Sequence, residues 1–138
     1  MTLLLDTGPL VAALNDNDKD HARCRDLLRW HRGPLAVPAP VLTEVCYLLD
    51  KRGRGATAEA QFLDALAAGE LDLVPAVPLD LARMAELVRT YADLPLGAVD
   101  ASVVAIAERL GVQEIATLDR RHFSVVRPRH AEVFSIVP

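Results

Sequence analysis

The sequence predicts a three-layer α/β/α fold around a mainly parallel central sheet, and three observations carry that prediction. Its 138 residues are 51% hydrophobic, weighted to Leu, Ala and Val, and only 4% are aromatic. That balance favours layered helix-and-sheet packing over an all-β design. Residues 2–5 form a short apolar run ending on Asp6, as in a central parallel strand buried on both faces. Short strand-like runs then alternate with helical patterns to the end of the chain, the order that builds parallel sheets.

After the first strand, Asp6-Thr7-Gly8-Pro9 starts a helix, with Asp6 or Thr7 placed to cap it and Pro9 in its first turn. Residues 15–20 make a polar break. A second helix over about 20–31 carries Ala22, Leu27, Leu28 and Trp30 among basic residues, and Gly33-Pro34 ends it. Residues 35–37 read as a short strand. Pro38 and Pro40 lead into a helix over about 41–51, closed by Gly53 and Gly55, and Thr57 stands where it can cap a further helix through about 68. Residues 71–74 suit a strand and residues 80–91 a helix, with Pro95 marking a boundary. From Gly97 a helix places Val99, Val103, Ile106 and Leu110 on one face and stops at Gly111. Residues 114–117 read as a strand with Asp119 just past it. A short turn, a basic segment (Arg127, Arg129, His130) and a last strand at 133–137 follow. With no internal repeat, linker or low-complexity stretch, residues 1–138 are expected to form a single domain.

Several function classes drop out. No apolar run approaches the roughly 18 residues a membrane span needs. The opening MTLLLDTG has neither a basic n-region nor a long apolar h-region, so the cytoplasm is the expected compartment. Cys24 and Cys46 form no CxxC pair and read as buried thiols; the four histidines show no zinc-ligand spacing. A net charge of −4 argues against a general nucleic-acid coat protein. It does not exclude an enzyme that meets nucleic acid through metal ions. Asp16, Asp18 and Asp20 mimic the start of a calcium loop, but the sixth and twelfth positions are His21 and Leu27 rather than Gly and Glu. Gly8 occupies the place where a haloacid-dehalogenase-type phosphotransferase needs a second Asp, and Asp6 lacks the acidic neighbour of a response-regulator receiver.

Four acids remain. Asp6 closes the first strand, and Asp119 lies beyond a strand that can neighbour it. Asp100 sits in the first turn of the helix leading into that second strand. Glu44 falls at the border of the apolar arc Val41, Val45, Leu48 and Leu49, where a carboxylate is costly unless paired. In an open parallel sheet the first three meet in the crevice beyond the strands' carboxyl ends. Carboxylates gathered there repel one another and raise each other's pKa unless a cation is bound. An all-oxygen set suits Mg²⁺ or Mn²⁺, ions that activate water for in-line displacement at phosphorus.

These residues carry a family resemblance. LLLDTGPLVAALNDNDKDH, PAPVLTEVCYLL, YADLPLGAVDASVVAIAERLG and IATLDRRHF, in this order and spacing, resemble a PIN-domain ribonuclease across the chain, more narrowly a VapC-type toxin of bacterial toxin–antitoxin pairs. The resemblance implies a PIN-like fold and metal-binding acids at Asp6, Glu44, Asp100 and Asp119. Thr7 matches the hydroxyl residue after the first acid, Thr117 the one in the T-x-D segment, and Asp93 a further acid that some members carry. It also implies a Mg²⁺- or Mn²⁺-dependent endoribonuclease acting on structured RNA such as tRNA or rRNA, a homodimer, and a cognate antitoxin whose C-terminal segment lies over the site. Arg120, Arg121 and His122, and likewise His21, Arg23 and Arg25, are candidate phosphate contacts. The competing expectation is a catalytically inactive PIN-like module that only binds protein, against which four intact acids speak. A DNA-acting structure-specific nuclease shares the site chemistry but usually needs larger substrate-clamping insertions than this chain has room for.

Overall fold

The structure is a computed structural model that describes residues 1–51 and 55–138. In chain order its elements are β1 (Leu3–Leu5), α1 (Thr7–Leu14), α2 (His21–Trp30), β2 (Leu35–Pro38), α3 (Ala39–Lys51) and α4 (Gly55–Ala67). There follow β3 (Asp72–Val74), α5 (Pro78–Thr90), α6 (Ala98–Leu110), β4 (Glu114–Ala116), α7 (Arg120–Val125) and β5 (Ser135–Val137). Gly53, expected to close α3, lies outside the described residues. No helix among the described residues is long and apolar enough to cross a membrane.

The five strands pair in the order β3-β2-β1-β4-β5, every pairing parallel. Successive strand residues point to opposite faces. Leu3, Leu4 and Leu5 are all completely buried, so both faces of the sheet are covered, as the three-layer reading requires. From β1 the chain winds outward through β2 and β3, then returns to lay β4 on the other side of β1. That reversal opens a crevice beyond the carboxyl ends of β1 and β4, the usual ligand position in open α/β sheets.

α6 is the helix at the centre of the packing. Seven consecutive residues, Ala101 to Ala107, are buried, and the helix packs against α5, α3 and the sheet. The buried side chains are small or β-branched, which lets the neighbouring layers approach closely, and the one hydroxyl there, Ser102, donates to the Val99 carbonyl at 2.6 Å. Leu110, on the face it shares with Val103 and Ile106, is exposed, because the helix emerges from the core at Glu108. Gly111 ends it at φ +69°, where its N–H reaches the Glu108 carbonyl and that of Val112 the Ala107 carbonyl. This is the left-handed stop that glycine accepts without strain. Gly111→Ala is expected to cost about 1–2 kcal/mol of stability, read as a lower midpoint in denaturant titration.

Two other local expectations change. Thr57 lies inside α4, which starts at Gly55, rather than capping it. α5 begins at Pro78, so Asp80 occupies its first turn, accepting from the Val77 N–H at 3.0 Å and from Arg109 of α6. That pair, with Arg83–Glu108 at 2.8 Å, docks α5 onto α6. Trp30, carried among the basic residues of α2, is 74% exposed, whereas Cys24 of the same helix is buried.

Candidate active site

Asp6 follows β1, and its backbone N–H continues the ladder to the Ala116 carbonyl of β4 at 2.9 Å. It stands at the N-cap position of α1, yet its side chain makes no capping bond. The carboxylate instead accepts the Thr117 hydroxyl at 2.7 Å, and that same hydroxyl accepts the Asp119 N–H at 3.0 Å. One buried threonine therefore fixes the first acid's side chain and the last acid's backbone. This is the physical content of the T-x-D segment. Asp119 caps α7, accepting the His122 N–H at 3.1 Å.

Asp100 projects from the first turn of α6 and Glu44 from the half-buried flank of α3. All four acids line a single crevice of about 930 Å³, with Thr7 and the loop 15–20 along its sides. Burial pushes the Asp6 carboxyl up from 3.8 to about 6, against hydrogen bonds from Thr117 and Thr7 that lower it; the charges of Asp100 and Glu44 add to the rise. Asp100 is raised as well, chiefly by burial, with Asp119 and Glu44 adding and His122 opposing. The buried Thr7 hydroxyl lines the same crevice and has no hydrogen-bond partner among the described residues. A hard divalent cation would relieve both features, since it offsets the carboxylate charge and takes oxygen ligands.

His122, read from sequence as a phosphate contact, faces inward. Its Nδ1 lies 2.6 Å from Asp100 and 3.0 Å from Asp119, and the three residues place ligand atoms within 4.8 Å of one another. Burial disfavours the imidazolium, but the bond to Asp100 and the charges of both acids outweigh it and raise the His122 pKa. Sequence spacing gave no hint of this, because only α7, capped by Asp119, brings His122 back over Asp100. The remaining candidates scatter. Asp93 is exposed in the turn before α6 and does not line the crevice. The Arg120 guanidinium is held by the Pro138 carbonyl, His21 by the Ala12 carbonyl at 2.8 Å, Arg23 by Asp20 at 2.8 Å and Arg25 by Asp26 at 3.2 Å. Arg121 is exposed.

Residues 3–127 match the PIN domain, and the chain belongs to that family. It is 33% identical over 136 residues to Ribonuclease VapC26 of Mycobacterium tuberculosis (strain ATCC 25618 / H37Rv), an alignment spanning 99% of this chain and 100% of that protein. Solved structures of the same fold include M. tuberculosis VapC20, described as a Sarcin-Ricin loop cleaving toxin, at a TM-score of 0.76 and 19% identity, covering 82% of this chain and 86% of that one. VapBC2 from Rickettsia felis, bound to a DNA fragment from their promoter, aligns over 100% of both chains at a TM-score of 0.71 and 16% identity. FitAcB from Neisseria gonorrhoeae aligns over 88% and 90% at 0.57 and 20%. At these identities the three structures bear on the fold alone.

Proposed function

We propose that this chain is a Mg²⁺- or Mn²⁺-dependent endoribonuclease toxin that hydrolyses phosphodiester bonds in structured RNA, tRNA or rRNA, and is held inactive by a cognate antitoxin. A homodimer is the assembly that goes with this reading. The observation that carries it is the convergence of Asp6, Glu44, Asp100 and Asp119 on one crevice, with the Asp6 carboxyl raised to about 6 there. Full-length likeness to a ribonuclease of the VapC kind supports the same reaction class.

In this reading the four acids hold the cation, directly or through water, with the Thr7 hydroxyl beside them. Held there, the ion would supply a water activated for attack at phosphorus and positive charge opposite the negative charge that builds on the phosphate. Thr117 keeps the Asp6 carboxylate and the Asp119 backbone in register, so that the two acids beyond the ends of β1 and β4 are held together. His122 holds a proton between Asp100 and Asp119, which keeps that acidic pair together before the cation arrives.

Incubating the purified chain with total tRNA and with rRNA tests the proposal. Cleavage is expected with Mg²⁺ or Mn²⁺ and none with EDTA. Absence of cleavage with either ion, joined to no Mn²⁺ binding at millimolar metal in calorimetry, would instead favour the protein-binding module.

A further inference from the structure

The loop 15–20 connects the active-site crevice to a surface that the mechanism above does not use. Its Asn15, Lys19 and Asp20 line the crevice, and it passes directly into α2, whose first turn thus stands at the crevice lip. Arg23, in that turn, is clasped by Asp20. Seven residues further, two helical turns and about 10 Å along the axis, Trp30 lies on the same stripe. It is the chain's single tryptophan, and 74% of it is exposed. Around it the sequence from 21 to 32 holds Arg23, Arg25, Arg29 and Arg32 against one acid, Asp26, within a chain of net charge −4. Arg29 and Arg32 are exposed and have no ion-pair or hydrogen-bond partner among the described residues.

We propose that the exposed face of α2 holds single-stranded RNA running out of the crevice, with Trp30 stacking on a base and Arg29 and Arg32 taking phosphates. Arg23 joins them when RNA displaces its exposed contact with Asp20. The inference rests on the nuclease reading, and it names a surface beyond the acid cluster. Aromatic rings interleaved with unpaired cations are how proteins grip single strands without reading their sequence. Cationic charge concentrated on one helix of an acidic chain complements a polyanion. A protein partner fits less well. A helix seated in a partner's groove presents apolar anchors at i, i+3, i+4 and i+7, whereas here the one large apolar side chain stands among arginines and Asp26.

The test uses the full chain in EDTA, so that binding is read without cleavage, and a mixed-sequence 12-nucleotide single-stranded RNA as the probe. Tryptophan emission reports Trp30 alone and is expected to be quenched as the RNA saturates. By fluorescence anisotropy of labelled RNA, Trp30→Ala should weaken binding roughly 5- to 150-fold, the range that base stacking supplies, while Trp30→Phe keeps most of the affinity. Arg29→Ala should lower the slope of log affinity against log salt by about 0.7. Unquenched emission at saturation, or wild-type affinity in Trp30→Ala, overturns the proposal. So does a Trp30→Ala protein that turns monomeric in light scattering with unchanged RNA affinity, since the face then belongs to a second copy. Asp6→Asn separates the two readings. Quenching kept and cleavage lost in that variant supports both, whereas cleavage kept in Asp6→Asn removes the assigned catalytic acids and leaves the α2 surface standing.

Discussion

Asp6→Asn or Asp100→Asn is expected to abolish RNA cleavage and, on induced expression, growth inhibition, while the protein stays folded. The expected loss is about a thousandfold or more. Several kcal/mol of transition-state charge stabilisation go with the cation, and each 1.36 kcal/mol is tenfold in rate. The fold survives because Asn offers the Thr117 hydroxyl the same acceptor that Asp6 presents at 2.7 Å. Asn also spares the core a buried charge, so metal-free Asp6→Asn is expected to melt above the native chain at pH 7. Cleavage retained by the purified variant would sink the assignment. Unfolding of the variant, checked by circular dichroism, would show instead that the carboxylate is needed for structure.

The second large effect is the pH dependence of the metal-free protein. Asp6 titrates at about 6 when folded and near 3.8 when unfolded. Its contribution to stability is therefore fully present below pH 3.8 and lost as pH rises through 6. Two pKa units at 1.36 kcal/mol each make that loss about 3 kcal/mol, roughly half of it above pH 5. Asp100, also raised by burial, acts with the same sign. His122 does too, since its folded pKa lies above the ordinary 6.5 and its stabilisation disappears as pH climbs through that higher value. Glu108 has the opposite sign. Burial raises it, but Arg83 and Arg129 hold it below 4.5, so its stabilisation is lost only in acid. Thermal melts from pH 5 to 8 in EDTA should accordingly show a midpoint falling by about 5 °C or more. Added Mn²⁺ should reverse the fall by about 2.7 kcal/mol at a hundred times its dissociation constant. A midpoint that rises over this range, or one indifferent to Mn²⁺, would contradict the electrostatic picture of the crevice.

Much of this was legible in the chain itself. The apolar run before Asp6 predicts a strand covered on both faces, and Leu3 to Leu5 are completely buried. The nearly all-apolar course of residues 101–107 predicts the enclosed α6, and Gly97 and Gly111 mark its ends. The four acids were legible because each is expensive where the pattern puts it: at a strand end, at the rim of a buried helix face, or in the first turn of a covered helix. Their convergence needs the parallel order that strand–helix alternation implies and, besides it, β4 lying next to β1.

Local pattern leaves open how exposed Trp30 and Leu110 are, and it places Thr57 as a cap where the structure puts it inside α4; which neighbour covers each helix and where the helix begins decide all three. Periodicity shows that α2 has an apolar side. It cannot show that the side closes over Cys24 and leaves Trp30 out.

By itself, then, the sequence determined the layer architecture and the strand direction and singled out four acids that the structure brings to one crevice, because burial periodicity and the cost of misplaced charge are local properties. The tertiary structure decided the rest. Placing β4 beside β1 put the Thr117 hydroxyl between Asp6 and Asp119, and the turn into α7 swung His122 onto Asp100. Thr117 lies 111 residues from Asp6 and His122 lies 22 from Asp100, so no sequence window holds either contact. Such contacts exist only once the sheet has closed its strand order.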